Sequence, residues 1–292
     1  MGENKFKNEF SDFLKYSEIG IPGADTGCRY HYTTIKALRG IVESNSIWVS
    51  NAMFLNDSSE VEYARSVIEE TIRDNPGISN QVIDIIEDFI NYIVDNSHQI
   101  FVLSTSCNKD SQLLWSNYSN MDGYCLGFDF SDSWQDMYLK DAKGCRFKLN
   151  PGKQIRIDEV MYDKKQQREF IEGPLLAVDK YYRENPKGDL TGFMHYFFHV
   201  LMMFKDPRFR HEEEFRIVFV IPDCQQFVQY YVASGILIPY IEVNFEHKIP
   251  LKHVKIGPRN DIDIARASIE SFLHSKGFSR VTVSKSDIPL RF

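Results

Sequence analysis

Apolar residues recur at two distinct periods along this chain, and the periods mark where helices and strands lie. Ile35, Leu38, Ile41 and Val42 fall at helical spacing and predict a helix that ends near Asn45, with Thr33 or Thr34 as its hydroxyl cap. Val82, Ile85, Ile86, Phe89, Ile90 and Ile93 make a one-face stripe on a helix over 79–95, which reads as core packing. Further helices are expected at 6–16, 58–74, 111–119, 163–183 and 261–275, the last ended by Gly277. The segment 190–205 is apolar nearly all round, which predicts burial or a subunit contact. Strands are expected at 28–33, 47–50, 100–106, 124–130 and 215–221, with shorter ones at 144–149, 154–161, 240–245, 253–257 and 280–284. Gly20 to Gly27 and the Asn185-Pro186-Lys187-Gly188 break read as loops.

Strands and helices alternate irregularly, which favours an α+β fold over a regular βαβ repeat. With no internal repeat, low-complexity tract or linker, the expected organisation is one domain over 1–292. Residues 1–27 form its N-terminal helix and loop, and 58–98 and 163–205 are helical insertions.

Composition narrows the class. Hydrophobic residues make up 43% and aromatics 14%, too apolar for a disordered chain. A net charge of −7 argues against coating nucleic acid through bulk charge. The five cysteines, Cys28, Cys107, Cys125, Cys145 and Cys224, are odd in number and widely spaced, which predicts free thiols in a reducing compartment. The first sixteen residues lack a signal-peptide apolar run, and the longest apolar stretch, 193–204, contains His195 and His199 and is too short to span a bilayer. A cytoplasmic protein without a membrane partner is therefore expected.

Three blocks could carry chemistry. In the first, Arg29, His31 and Thr33 alternate onto one face of a strand, and three polar groups there need partners from protein or ligand. Taken alone, His31 reads more readily as a hydrogen-bonded structural histidine. In the second, Ser104 and Ser106 share a face and lead to Trp115 and Tyr118, neighbours at helical spacing that could wall a flat ring or simply pack in the core. In the third, Glu212 and Glu214 share a face if the following strand has begun, with Arg216 on the same alternation. Paired carboxylates in a cleft can divide their roles, although a solvated charged strand entrance is the simpler reading of that segment alone.

Together these blocks resemble a known bacterial family, the domain of unknown function 2971. The likeness rests on Tyr30-His31-Tyr32-Thr33, Phe54-Leu55-Asn56-Asp57, Ser104-Thr105-Ser106 through Trp115 and Tyr118, Gly127-Phe128-Asp129, Phe209 with Glu212, Glu214, Phe215 and Arg216, and Ile256-Gly257-Pro258. A more distant resemblance, to ADP-ribosyltransferases, implies an activity. It implies a split mixed and antiparallel sheet core with helical insertions, and NAD as substrate. Arg29, His31, Tyr32 and Thr33 would then belong to an NAD-holding strand, Ser104 and Ser106 would brace the site, and Tyr118 would stack on nicotinamide, with Trp115 beside it among the cofactor-binding residues. Glu214 would be the catalytic acid, with Glu212 positioning or activating an acceptor and Arg216 beside them. Tyr32 stands where those proteins commonly carry a small residue and would crowd the ligand. The acceptor implied is a protein or nucleic acid, in a toxin or phage-defence setting.

Other readings stand beside this one. His195 and His199, four apart, have a metal-binding spacing, although their aromatic surroundings favour core packing or a homo-oligomer contact through 190–205. Lys205 to His211 is a basic segment that reads as a solvated loop or a phosphate contact. A nucleotide-sensing module without turnover, and a nuclease-like hydrolase using Glu212, Glu214, Asp57 and a divalent ion, are the functional alternatives.

Overall fold

β1 (Arg29–Thr33) runs into Thr34, whose hydroxyl accepts the Ala37 N–H at 3.3 Å and caps α1 (Ile35–Ser44). Thr34, not Thr33, is therefore the cap. The helix stops at Asn45 in the left-handed region, φ 54°, which asparagine tolerates better than most residues. The Asn45 amide donates to the Phe245 and His247 carbonyls at 3.0 and 2.7 Å, which ties this helix end to a distant strand.

The computed structural model describes residues 27–54, 60–151, 153–233 and 235–289. The expected helix at 6–16, most of the loop that follows it and the turn residues Leu55, Asn56 and Asp57 lie outside the described residues. After α1 come β2 (Ser46–Asn51), α2 (Glu60–Asp74), α3 (Asn80–Asp95), β3 (Ile100–Ser106), α4 (Gln112–Ser119) and β4 (Tyr124–Phe128). Then follow β5 (Met137–Lys140), β6 (Arg146–Lys148), β7 (Ile155–Glu159), α5 (Lys164–Glu184) and α6 (Thr191–Met203). β8 (Glu214–Val220), β9 (Val228–Ala233), β10 (Ile236–Phe245), β11 (Leu251–Ile256), α7 (Ile262–Ser275) and β12 (Thr282–Lys285) complete the described chain. The architecture is α+β, with one mixed twelve-stranded sheet in which β11 and β12 pair in parallel. β5 and β9 were not anticipated from the sequence.

β3 is the pivot of the sheet. One edge pairs with β8 along its whole length, from Ile100 opposite Val220 to Ser106 opposite Glu214. The other edge is paired only at its two ends, where Tyr30 of β1 lies opposite Ser106, and Ser50 and Asn51 of β2 lie opposite Val102 and Phe101. Between those contacts β1 and β2 diverge, joined by α1, and the sheet opens beside residues 103–105.

Alternation along β3 and β8 feeds two cores. Phe101, Leu103, Ile217 and Phe219 pack with Leu38, Ile41 and Val42 of α1 and Ile269 and Leu273 of α7. Val102, Val218 and Val220 pack instead with α3, α5 and α6. The α3 stripe is wholly buried there, as its spacing predicts. α6 is apolar nearly all round because Met194, Phe197, Phe198, Val200, Leu201, Met202 and Met203 are all buried within the chain itself.

A third, smaller cluster seats α4 on β1 and β4 through Tyr32, Leu114, Trp115 and Cys125. Below it, the Asp110 carboxylate accepts hydrogen bonds from the Trp115 indole at 2.7 Å, the Ser286 hydroxyl at 2.6 Å and the Asp287 N–H at 2.7 Å, and pairs with Lys255 at 3.1 Å. Ser286 and Asp287 are thereby clamped beneath α4.

Gly123 and Gly257 bring two backbone segments together in this region, the Gly257 N–H donating to the Gly123 carbonyl at 2.9 Å. A methyl on Gly123 would collide with the Thr33 carbonyl and the Ser119 Cβ, neither of which is a flexible chain end. Gly123→Ala is expected to lower stability by about 2 kcal/mol, the cost of overpacking. Gly40, in α1 with open space around it, is the control. There alanine should raise stability by roughly 0.5 kcal/mol through helix propensity. Urea midpoints at unchanged m-value measure both, and a neutral Gly123→Ala would refute the close approach.

Candidate functional site

The opening beside β3 is a cleft of ≈ 500 Å³. It collects residues from all three sequence blocks: His31 and Tyr32 from β1, Ser104 and Ser106 from β3, Tyr118 from α4, and Glu212 and Glu214 from the entrance to β8. Its other wall is Trp48 and Ser50 of β2, with Tyr231, Ile236 and Ile238 from the β9–β10 ribbon.

The acidic end is built by a tight chain reversal. The Asp206 carboxylate accepts the Arg208 N–H at 2.9 Å and caps a 3₁₀ turn, Pro207–Glu212, with Pro207 at its first position. Glu213 then takes a left-handed φ of 45°, which swings the chain into β8. The end of β3 holds this strained residue in place. The Ser106 hydroxyl donates to the Glu212 carbonyl at 2.8 Å, the Cys107 N–H to the Glu213 carbonyl at 2.9 Å, and the Asn108 amide to the Glu213 carboxylate at 2.9 Å. Glu212 and Glu214 thus converge through the turn, not through strand alternation, because β8 begins only at Glu214.

They converge on Lys205, a residue the sequence placed in a solvated loop or on a phosphate. Its ammonium is buried and lies 2.7 Å from Glu212 Oε2 and 2.8 Å from Glu214 Oε2. Arg216 adds a fork on Glu214, Nε to Oε1 at 2.9 Å and Nη2 to Oε2 at 3.0 Å, and its Nη1 donates to the Met202 carbonyl at 2.7 Å. Burial alone would raise the Glu214 pKa, but the Arg216 and Lys205 charges outweigh it and hold the group at about 2. Glu214 is therefore held as a carboxylate, and both of its oxygens face cationic partners within the chain. Glu212 is the more accessible of the pair, and its Oε1 accepts the Tyr118 hydroxyl at 3.2 Å.

His31 lies across the cleft, half-buried, with Nδ1 3.3 Å from the Ser104 carbonyl. Only a donor can face that carbonyl, so Nδ1 carries the proton and Nε2 is left as an acceptor. Burial lowers its pKa despite the opposing effect of that hydrogen bond, so the ring is neutral near pH 7.

Four expected ligand contacts are not made available by the structure. Trp115 is fully buried, so Tyr118, 37% exposed, is the aromatic that α4 offers to the cleft. Arg29 lies on the Phe215 ring, 3.9 Å from its centroid, Thr33 is buried, and Arg216 is buried behind Glu214. Tyr32 lines the cleft. Its ring stands edge-on to Trp115 at 4.9 Å, and its hydroxyl bridges the Asn108 carbonyl and the Ser111 N–H, both at 2.8 Å. Trp48, to which the sequence assigns no role, also lines the cleft, and its alternation with buried Ile47 and Val49 marks it as outward-facing.

Among the described residues, no group of three His, Cys, Asp or Glu is arranged to hold a metal ion. Burial, reinforced by the Arg156 charge, lowers the His195 pKa to about 4. Asp57, which the hydrolase alternative requires, lies outside the described residues. All five cysteines are free thiols. No helix among the described residues is long and apolar enough to cross a membrane.

The family described as protein of unknown function (DUF2971) matches residues 114–217, from α4 to β8, which bears out the family resemblance over that stretch. The match takes in Tyr118, Lys205, Glu212, Glu214 and Arg216, and leaves His31 and Ser104 outside it. Neither a curated protein nor a solved structure shows a significant match to the chain.

Proposed function

We propose that the cleft binds NAD and that the chain is an ADP-ribosyltransferase-like protein, passing ADP-ribose to a protein or nucleic-acid acceptor. The observation that carries this reading is the convergence of His31, Tyr118, Glu212 and Glu214, from three separate sequence blocks, on one cleft where a sheet opens. In the reaction, the glycosidic bond to nicotinamide breaks and the ring leaves with the electron pair. Positive charge develops on the ribose, resembling glycoside cleavage. Glu212 exchanges the Tyr118 hydroxyl for a ribose hydroxyl and stabilises that charge. Glu214, fixed by Arg216 and Lys205, contributes a second negative field close by. Tyr118, released from Glu212, stacks on the leaving ring, and an acceptor nucleophile bonds to the ribose carbon and gives up its proton to water.

NAD labelled in its adenylate half, incubated with the protein and a cell lysate, should yield free nicotinamide and a labelled macromolecule. Glu212→Gln should slow nicotinamide release at least about tenfold, a loss of about 1.4 kcal/mol of transition-state stabilisation. Absence of NAD binding by calorimetry would end the proposal. A second reading, a sensor that binds NAD without turnover, is favoured by one observation: cationic partners already occupy both Glu214 oxygens. Its signature is NAD binding with no nicotinamide released.

A further inference from the structure

The β2–β10 wall of the cleft has a character of its own. Trp48 is 52% exposed while its neighbours Ile47 and Val49 are buried, so the indole is held out of the core. It is not loose. Tyr240 stacks beneath it, ring centroids 4.3 Å apart and 28° between planes, and Tyr231 lies 6.0 Å away. An aromatic surface fixed in this way has already given up the rotamer freedom that binding would otherwise cost. At its edge the Ser50 and Tyr231 hydroxyls pair at 3.2 Å, which leaves one donor and several acceptor lone pairs for a ligand. Among the described residues lining the cleft, Lys205 is the only ammonium or guanidinium, and it is committed to Glu212 and Glu214. Where it lines the cleft, this wall therefore offers a flat π surface and neutral hydrogen-bonding groups; Glu242, opposite Trp48 on β10, is a carboxylate that accepts the Ser46 hydroxyl, so the wall brings no positive charge for a phosphate.

We infer that Trp48, with Ser50 and Tyr231 at its edge, is a stacking subsite for a neutral heteroaromatic ring. The inference rests on the proposed function only for the source of that ring, adenine or nicotinamide after its release, because the nicotinamide ring is a cation while joined to the ribose; the subsite itself rests on the geometry of β2, β9 and β10. Both rings present a flat face for the indole and a donor and acceptor on one edge for the two hydroxyls.

The test titrates the full chain with adenosine, nicotinamide and choline, following tryptophan emission and heat. Trp115 is fully buried and Trp134 packs against the core, so ring stacking on Trp48 is the change that quenching reads. One of the two rings should bind saturably with quenching, and which one does identifies the source. Trp48→Leu should weaken that binding about tenfold to a hundredfold by calorimetry, and Trp48→Phe should retain part of it. Unchanged affinity in Trp48→Leu, failure of both rings to bind, or choline binding as tightly as either ring would overturn the inference. The two proposals fail separately. NAD binding and nicotinamide release that persist unchanged in Trp48→Leu remove the subsite and keep the transferase. Ring binding at Trp48 without NAD binding or nicotinamide release removes the transferase and keeps the subsite.

Discussion

Lys205→Met is expected to lower the stability of this protein by roughly 3 kcal/mol, the low end of what breaking a buried ion pair costs. Methionine keeps most of the lysine's length and apolar stem, so packing is little changed and the loss is electrostatic. The ammonium lies within 2.8 Å of two carboxylates, and the side chains of Lys205, Glu212 and Glu214 are 7%, 11% and 6% exposed. Without it, two anions face each other with little water between them. Arg216 still grips Glu214, which keeps the loss from being larger. The double variant Lys205→Met with Glu212→Gln should recover most of the lost stability, because a single carboxylate then remains and Arg216 satisfies it. Urea midpoints for the two variants and the parent protein decide the matter. A neutral Lys205→Met would mean that the three side chains are solvated and the acidic end of the cleft is not preorganised.

The second large effect depends on pH. The Arg216 and Lys205 charges hold the Glu214 carboxyl at about 2 against an ordinary 4.5, so the folded state binds that proton far more weakly than the unfolded chain does. The stabilisation is complete above about pH 5 and is lost as pH falls from 4.5 towards 2. At 1.36 kcal/mol per pKa unit it amounts to about 3 kcal/mol. Other carboxylates also destabilise the protein in acid, so the quantity to follow is the difference between the parent protein and Glu214→Gln. That difference should be largest at pH 7 and shrink steadily from pH 5 to pH 3 in urea melts. A difference independent of pH would mean that Glu214 is not held ionised by its neighbours.

Much of the framework could be read from periodicity, and the exceptions have physical causes. The α3 stripe and β3 were legible because each buries a continuous face, the condition that leaves a repeating pattern in sequence. β9 was not. Tyr230 and Val232 face solvent at 62% and 73% exposure, and with Tyr231 and Ala233 only half-buried on the other side, no polar alternation marks a strand. β5 is four residues long, too short for a period to show. At the cleft, the order of His31, Ser104, Ser106 and the glutamates along the chain pointed to one site. The roles of particular side chains did not follow from order. Trp115 and Tyr118 are helical neighbours, yet a small rotation of α4 about its axis buries one and exposes the other. Lys205 reads as a basic loop residue because nothing in a linear sequence shows that a turn ending at Glu213 will bring two carboxylates to it.

The Asp110 clamp has a consequence for synthesis. The carboxylate that steadies α4, and with it Tyr118, is satisfied in part by Asp287, 177 positions later in the chain. At a translation rate of about 5 to 20 residues per second, roughly ten to thirty-five seconds separate the emergence of these two residues from the ribosome. During that interval α4 rests on β1 and β4 without the Asp287 N–H and the Ser286 hydroxyl that complete the Asp110 clamp. A nascent chain can therefore bury its two large cores before the helix that carries Tyr118 has its full support.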